Sequence, residues 1–162
     1  MAPPAFLVRS TELWSAAERV AMLTKKAQYA FRALTVLAKA LDSSEDGGWM
    51  SAKQICESSP ISVKFLEQIL VELRSGGVVK SRRGPRGGHA LNLPAQEVTM
   101  AKVIRLMDGP IAPLACVSLN YYQKCEDCVE EDCGLHRMMV EVRDAQLAIL
   151  DKRTLVDFLN PT

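Results

Sequence analysis

Four cysteines fall within eighteen residues in the C-terminal half of the sequence: Cys116, Cys125, Cys128 and Cys133, with His136 three positions after the last. Thiols this close together can converge on one ion or cluster without help from distant parts of the chain. Thiolate sulfur is a soft donor that suits zinc and iron–sulfur clusters. The acidic residues around them, Glu126, Asp127, Glu130, Glu131 and Asp132, do not stabilise thiolates, so a bound cation must do so. A structural zinc site usually has two C-x2-C-like knuckles, whereas here one C-x2-C is present and the outer spacings are unequal. Structural zinc, reversible thiol oxidation and four unliganded thiols stand beside the cluster reading. A thiol–disulfide oxidoreductase working through Cys125 and Cys128 is a further rival. That reading needs a βαβ context, which the sequence does not offer. Cys56 stands far from the others and reads as a buried structural thiol.

The elements that must position this cluster are legible on both sides of it. Upstream, Thr99 to Met107 reads as a helix with Met100, Val103, Ile104 and Met107 inward, stopped by Gly109-Pro110. The Pro113–Asp132 stretch is longer than an ordinary connection, and such loops are usually functional or disordered. Downstream, Gly134 to about Asp151 reads as a long helix with Leu135, Met138, Val142, Ala145 and Ile149 on one stripe. Too little chain follows to cover that stripe, so Met138, Val142, Ala145 and Ile149 are expected in a subunit interface. Thr154-x-x-Asp157 caps a final turn ending in Phe158 and Leu159.

Further upstream, Ile61 to Leu93 reads as a helix, a tight turn and a β-hairpin with a basic tip. Ser62 is placed to cap the helix, and Leu66, Ile69, Leu70 and Leu73 fall at i, i+3, i+4 and i+7. Lys64, Glu67, Gln68, Val71 and Arg74 occupy the opposite face, and Gly76-Gly77 ends the helix. Extended runs Val78–Arg82 and His89–Leu93 are joined by Gly84-Pro85-Arg86-Gly87-Gly88. No acidic residue occurs from Leu73 to Gln96, while Arg74, Lys80, Arg82, Arg83 and Arg86 do. In the order before it, Thr24 caps a helix to about Leu41 with Ala27, Ala30, Phe31, Leu34, Leu37, Ala38 and Leu41 inward. Trp49-Met50 is a candidate third strand, and Ser51 with Gln54 forms a capping box for a short helix with Ile55 and Cys56 inward. Ser58-Ser59-Pro60 then breaks that helix. Helix, strand, helix, turn, helix, hairpin is winged helix-turn-helix order. One helix would enter the major groove and the wing would meet phosphates or the minor groove.

Composition narrows the class. A 162-residue chain with 48% hydrophobic residues supports a core and a modest appendage. Net charge is +1, so any nucleic-acid contact must come from local asymmetry. No apolar run is long enough to span a membrane, and the first residues lack an export signal, so a cytoplasmic protein with reduced thiols is expected. Residues 1–21 read as an N-terminal extension: either a mispredicted leader ahead of a natural start at Met22, or a segment with a short helix from Ser10 that packs through Trp14. The expected fold is mainly α with a small β-wing. A winged helix-turn-helix domain at 22–98 is followed by the cysteine loop and a long dimerisation helix at 99–162.

Four stretches resemble a known family: Met22-Leu23-Thr24-Lys25 with Tyr29-Ala30, Phe65-Leu66-Glu67-Gln68, Arg83-Gly84-Pro85-Arg86-Gly87-Gly88, and the loop ending Cys133-Gly134-Leu135. Together they are similar to the Rrf-two winged-helix regulators, of the iron–sulfur cluster regulator and nitric-oxide-sensing repressor type. The resemblance covers Met22 to the C-terminus. It implies a homodimer on double-stranded DNA, and a cluster held by three loop cysteines plus a fourth, non-cysteine ligand. This loop has four cysteines. Cys116 and Cys133 match the outer pair, and either Cys125 or Cys128 the middle one. His136 matches the histidine ligand of one branch. In the other branch an aspartate before the tyrosine–alanine pair serves, where this chain has Gln28, a poor ligand. His89 replaces the aromatic residue usual after the wing glycines, and is expected to pack or touch phosphate. The resulting expectation is a non-enzymatic repressor that senses iron, iron–sulfur status, nitric oxide or redox through a [2Fe-2S] or [4Fe-4S] cluster, with zinc as the alternative metal. Lys25, Ser62, Lys64, Glu67, Gln68, Arg74, Arg82, Arg83 and Arg86 are the expected DNA-facing set.

Overall fold

The structure is a computed structural model and describes residues 23–57, 60–85 and 87–159. The expectations for residues 1–21, Ser58, Ser59 and Arg86 lie outside the described residues. Helix α1 spans Lys25–Ser43, with the Thr24 hydroxyl accepting from the Ala27 amide at its start. It buries Ala27, Ala30, Phe31, Ala33, Leu34, Leu37 and Ala38. Leu41, expected on the same stripe, is 38% exposed. It lies in the last turn, beside the loop in which Gly48 lies close against its backbone. Helix α2, Ala52–Cys56, carries the expected capping box between Ser51 and Gln54. Ile55 is buried, whereas Cys56 is only half-buried against the core, a smaller role than the buried thiol expected.

Helix α3, Val63–Ser75, buries Leu66, Ile69, Leu70 and Leu73, the four positions its period requires. The chain reverses at Gly77, whose φ of +71° is a left-handed value that glycine adopts without a Cβ penalty. Strands β1 (Val79–Arg82) and β2 (Gly88–Leu91) pair antiparallel from Val79 opposite Leu91 to Arg82 opposite Gly88. The expected third strand does not form among the described residues. Met50 makes one isolated bridge to His89, with backbone bonds of 2.9 and 2.7 Å. Gly88 allows that approach: a Cβ there would stand 2.5 Å from the Met50 carbonyl oxygen.

Helix α4, Met100–Met107, buries Ala101, Val103, Ile104 and Met107 in the same core as α1 to α3. Met100 is only partly buried against it. The 113–132 stretch is not featureless: 3-10 turns at Ala115–Val117 and Glu130–Asp132 punctuate it. Helix α5, Gly134–Leu150, buries only Leu150 among the described contacts of the single chain. Its Met138, Val142 and Ile149 are 61, 40 and 62% exposed. The chain then returns to the core. Thr154 bridges Thr99, Leu155 is buried, and Phe158 of α6 (Val156–Leu159) stacks on Phe31 at 5.1 Å. No described helix is long and apolar enough to cross a membrane.

Candidate functional site

The loop and the first turn of α5 bring the five expected metal-site residues into one region. Cys133 is the N-cap of α5, and its Sγ accepts from the His136 amide at 3.4 Å. That bond is the main reason its thiol is held below the ordinary cysteine value, helped by the Cys128 thiol and the Leu135 amide. Cys128 is pushed up to about 12, first by its hydrogen bond to Cys125, then by burial and by Cys133. Cys128 is thus the middle of the group, hydrogen-bonded both to Cys125 and to Cys133. Across from it, ligand atoms of Cys116, Glu130 and His136 all lie within 4.8 Å of one another. His136 Nδ1 is buried and has no hydrogen-bond partner. Sulfur donors gathered around one turn, beside an imidazole with an orphaned nitrogen, are a donor set that fits an iron–sulfur cluster or zinc.

Two residues that sequence reasoning passed over hold this arrangement. Arg143 on α5 has a largely buried side chain that donates to the Val117 carbonyl at 2.7 Å and pairs with Asp144. It thereby fixes the 3-10 turn that carries Cys116. Tyr122 donates its hydroxyl to Glu130 Oε1 at 2.9 Å, which raises the phenol's pKa and orients the carboxylate. Gln28, at the alternative ligand position, is turned to the backbone: its Nε2 donates to the Leu23 carbonyl at 3.0 Å.

The end of α4, the helix ahead of the loop, is tied to the expected DNA-reading elements. Asp108, at the end of α4, accepts from the Thr24 amide at 3.0 Å and from the Thr24 hydroxyl. Thr24 is the cap of α1, and Lys26 in the next turn of chain meets Glu72 of α3 at 3.0 Å. On α3, Lys64, Glu67, Gln68, Val71 and Arg74 are exposed, as their spacing requires. The Ser62 hydroxyl accepts from the Phe65 amide and so caps α3. Lys25 is exposed, with its ammonium 3.5 Å from Gln28 Oε1.

At the wing, Arg83 is exposed, whereas Arg82 is held: its guanidinium lies over Trp49 at 4.2 Å and 3.5 Å from Asp46. Arg82 braces the hairpin against the preceding loop, a role not expected from its place in the basic run. His89 is half-buried, with Nδ1 2.9 Å from the Ser81 hydroxyl, and burial lowers its pKa.

The chain matches the family model described as "Rrf2: Iron-dependent Transcriptional regulator" over residues 23–161. An rrf2-like helix-turn-helix transcriptional regulator of Rhodobacter capsulatus is 38% identical over 139 residues, covering 85% of this chain and 92% of that protein. The solved structure of CymR, the global cysteine regulator of Bacillus subtilis, superposes with a TM-score of 0.65 at 29% identity, covering 88% of this chain and 98% of that one. T. potens IscR superposes with a TM-score of 0.62 at 26% identity, covering 87 and 88% of the two chains. The winged-helix order thus agrees with the comparisons: this chain belongs to the Rrf2 family of DNA-binding transcriptional regulators, which are not enzymes.

Proposed function

We propose that this regulator is a homodimeric, cytoplasmic repressor that senses iron–sulfur status, nitric oxide or redox through a cluster held in the 113–132 loop. In this division of labour 22–98 reads DNA, and 99–162 senses and dimerises. The observation that carries the reading is the gathering of Cys116, Cys128, Cys133 and His136 around the first turn of α5. Cys116, Cys133 and one of Cys125 and Cys128 would hold the cluster, with His136 completing the set. Bound there, an iron–sulfur cluster supplies a centre that oxidants, nitric oxide and iron shortage destroy.

The protein's own contacts supply the transmission. Arg143 holds the Cys116 turn to α5, Asp108 holds the cap of α1, and Lys26 joins α1 to α3. A loop released from its metal loosens one end of this chain of contacts. Being polar, it cannot fold on its own. The pair of α3 helices in the dimer would then change spacing. The face of Lys64, Glu67, Gln68 and Arg74 would enter the major groove, where glutamine pairs with adenine and glutamate accepts from cytosine. Arg83 and Arg86 would meet phosphates.

The test compares operator affinity of anaerobic metal-loaded protein, chelator-treated protein and Cys133→Ala at one salt concentration. Affinities should differ by an allosteric coupling of about 1–3 kcal/mol. Cys116→Ala and Cys133→Ala should abolish the brown chromophore, and one of Cys125→Ala and Cys128→Ala should spare it. Equal affinities would remove the sensing role. Stoichiometric zinc without iron would replace the cluster with a structural zinc site.

A further inference from the structure

The four thiols do not form a single set. Cys128 bonds to Cys125 and to Cys133, while Cys116 stands with a carboxylate and an imidazole. We propose that Cys116, Glu130 and His136 form a mononuclear site for a divalent transition cation of the zinc class, filled when the loop carries no iron–sulfur cluster. The proposal rests on reading this loop as a metal-responsive element. It deepens that reading by adding Glu130 as a ligand and a second metal state that shares Cys116 and His136 with the cluster, so the two states exclude each other.

Geometry and chemistry both support the site. The three ligand atoms lie within 4.8 Å of one another. Bonds of about 2.0–2.3 Å in a tetrahedral site put ligands about 3.3–3.8 Å apart. Closure therefore asks these atoms to approach one another by about 1 Å. One thiolate, one carboxylate and a neutral imidazole balance a 2+ charge. Sulfur and nitrogen donors favour zinc-like cations over magnesium or calcium, which take oxygen. The surroundings are those of a supported metal ligand set. The Tyr122 hydroxyl donates to Glu130 Oε1, the Arg143 guanidinium fixes the Cys116 turn through Val117, and His136 Nδ1 is buried without a partner.

Cobalt(II) added alone to reduced, cluster-free, full-length protein is the probe, because thiolate-bound cobalt absorbs and zinc bleaches it. The expected result is one cobalt per chain, with a charge-transfer band of the intensity of a single thiolate. Cys116→Ser should remove that band. Glu130→Gln should weaken cobalt at least about tenfold, and Tyr122→Phe should weaken it less. Cys125→Ser and Cys128→Ser should leave both spectrum and affinity unchanged. No cobalt binding overturns the site, as does binding that is insensitive to Glu130→Gln or abolished by Cys125→Ser. Iron–sulfur absorbance of anaerobically loaded protein separates the two readings. If wild type never carries iron while cobalt follows Glu130, the cation site stands and the cluster falls. If the cluster forms and cobalt ignores Glu130, the reverse holds.

Discussion

Two neighbouring arginines at the wing show how far a single residue's role depends on what folds beside it. Arg82 and Arg83 look alike in the basic run, but Arg82 is engaged by Trp49 and Asp46 while Arg83 is exposed. An arginine on a phosphate releases counterions. Arg83→Ala should therefore flatten the logarithmic salt dependence of operator binding by about one unit, measured as affinity against salt. Arg82→Ala should instead loosen the hairpin and change that slope little. An unchanged slope in Arg83→Ala would take this residue off the DNA. His89 gives a pH prediction. Burial lowers its pKa in the folded protein below the ordinary 6.5, with Arg74 lowering and Glu67 raising it further along the same helix face. The folded state thus binds this proton less readily than the unfolded chain does. Stability is full above the unfolded value and falls as pH drops from about 6.5 toward the folded value. The denaturation midpoint of wild type should decline across that window more than that of His89→Gln. Parallel profiles would mean the imidazole is not the group responsible. The cysteines and His136 were legible as candidate ligands because their spacing is local. Glu130, Tyr122 and Arg143 were not: Glu130 lay inside an acidic run, and Arg143 acts on a carbonyl twenty-six residues away.

At the level of elements, periodicity and caps carried most of the fold. The stripe of α3 and the Ser62, Thr24 and Ser51 caps are where their residue types place them. Burial of that stripe holds α3 on α1, and Leu70→Ala at the fully buried centre would cost about 2–5 kcal/mol. Propensity failed at Trp49-Met50, where the pattern suits a strand but only one residue finds a partner. Trp49 is instead the platform for Arg82 and, at 5.5 Å, Lys80. The Met50–His89 bridge depends on the bare backbone of Gly88, with φ of +154° and no room for a Cβ before Met50. Gly88→Val should push the Met50 segment away and free the wing from the body of the domain. Hydrogen exchange at the Met50 and His89 amides should then accelerate while α3 amides keep their protection. If both amides remain as slow as in wild type, the bridge does not depend on this glycine. The 113–132 stretch reads in sequence as a loop too long for an ordinary connection, and two 3-10 turns punctuate it. The turn at Ala115–Val117 is held by Arg143 of α5, a contact that no local pattern encodes.

For the molecule as a whole, the open question in a single chain is what covers α5. Its neighbours α4 and the Cys116 turn take one side, and Leu150 alone reaches full burial. Leu135, Met138, Val142 and Ile149 remain as a continuous apolar stripe, between 40 and 62% exposed. Contiguous apolar exposure of this kind marks an association surface. A second copy is the partner that the proposed paired recognition helices require, because two half-sites on DNA are read by a two-fold dimer. Val142 sits mid-helix, so Val142→Asp would place an unpaired carboxylate in the seam, costing several kcal/mol. Within one chain the same residue is 40% exposed, so folding of the subunit should survive the change. Sedimentation at low micromolar concentration should show folded monomer in place of dimer. Operator affinity should fall steeply, since the two wings and helices would no longer bind as one unit, while the cobalt spectrum at Cys116, Glu130 and His136 should persist because all three ligands come from one subunit. A Val142→Asp protein that stays fully dimeric would move the interface off this helix. A monomer that binds operator as tightly as wild type would separate dimerisation from DNA reading.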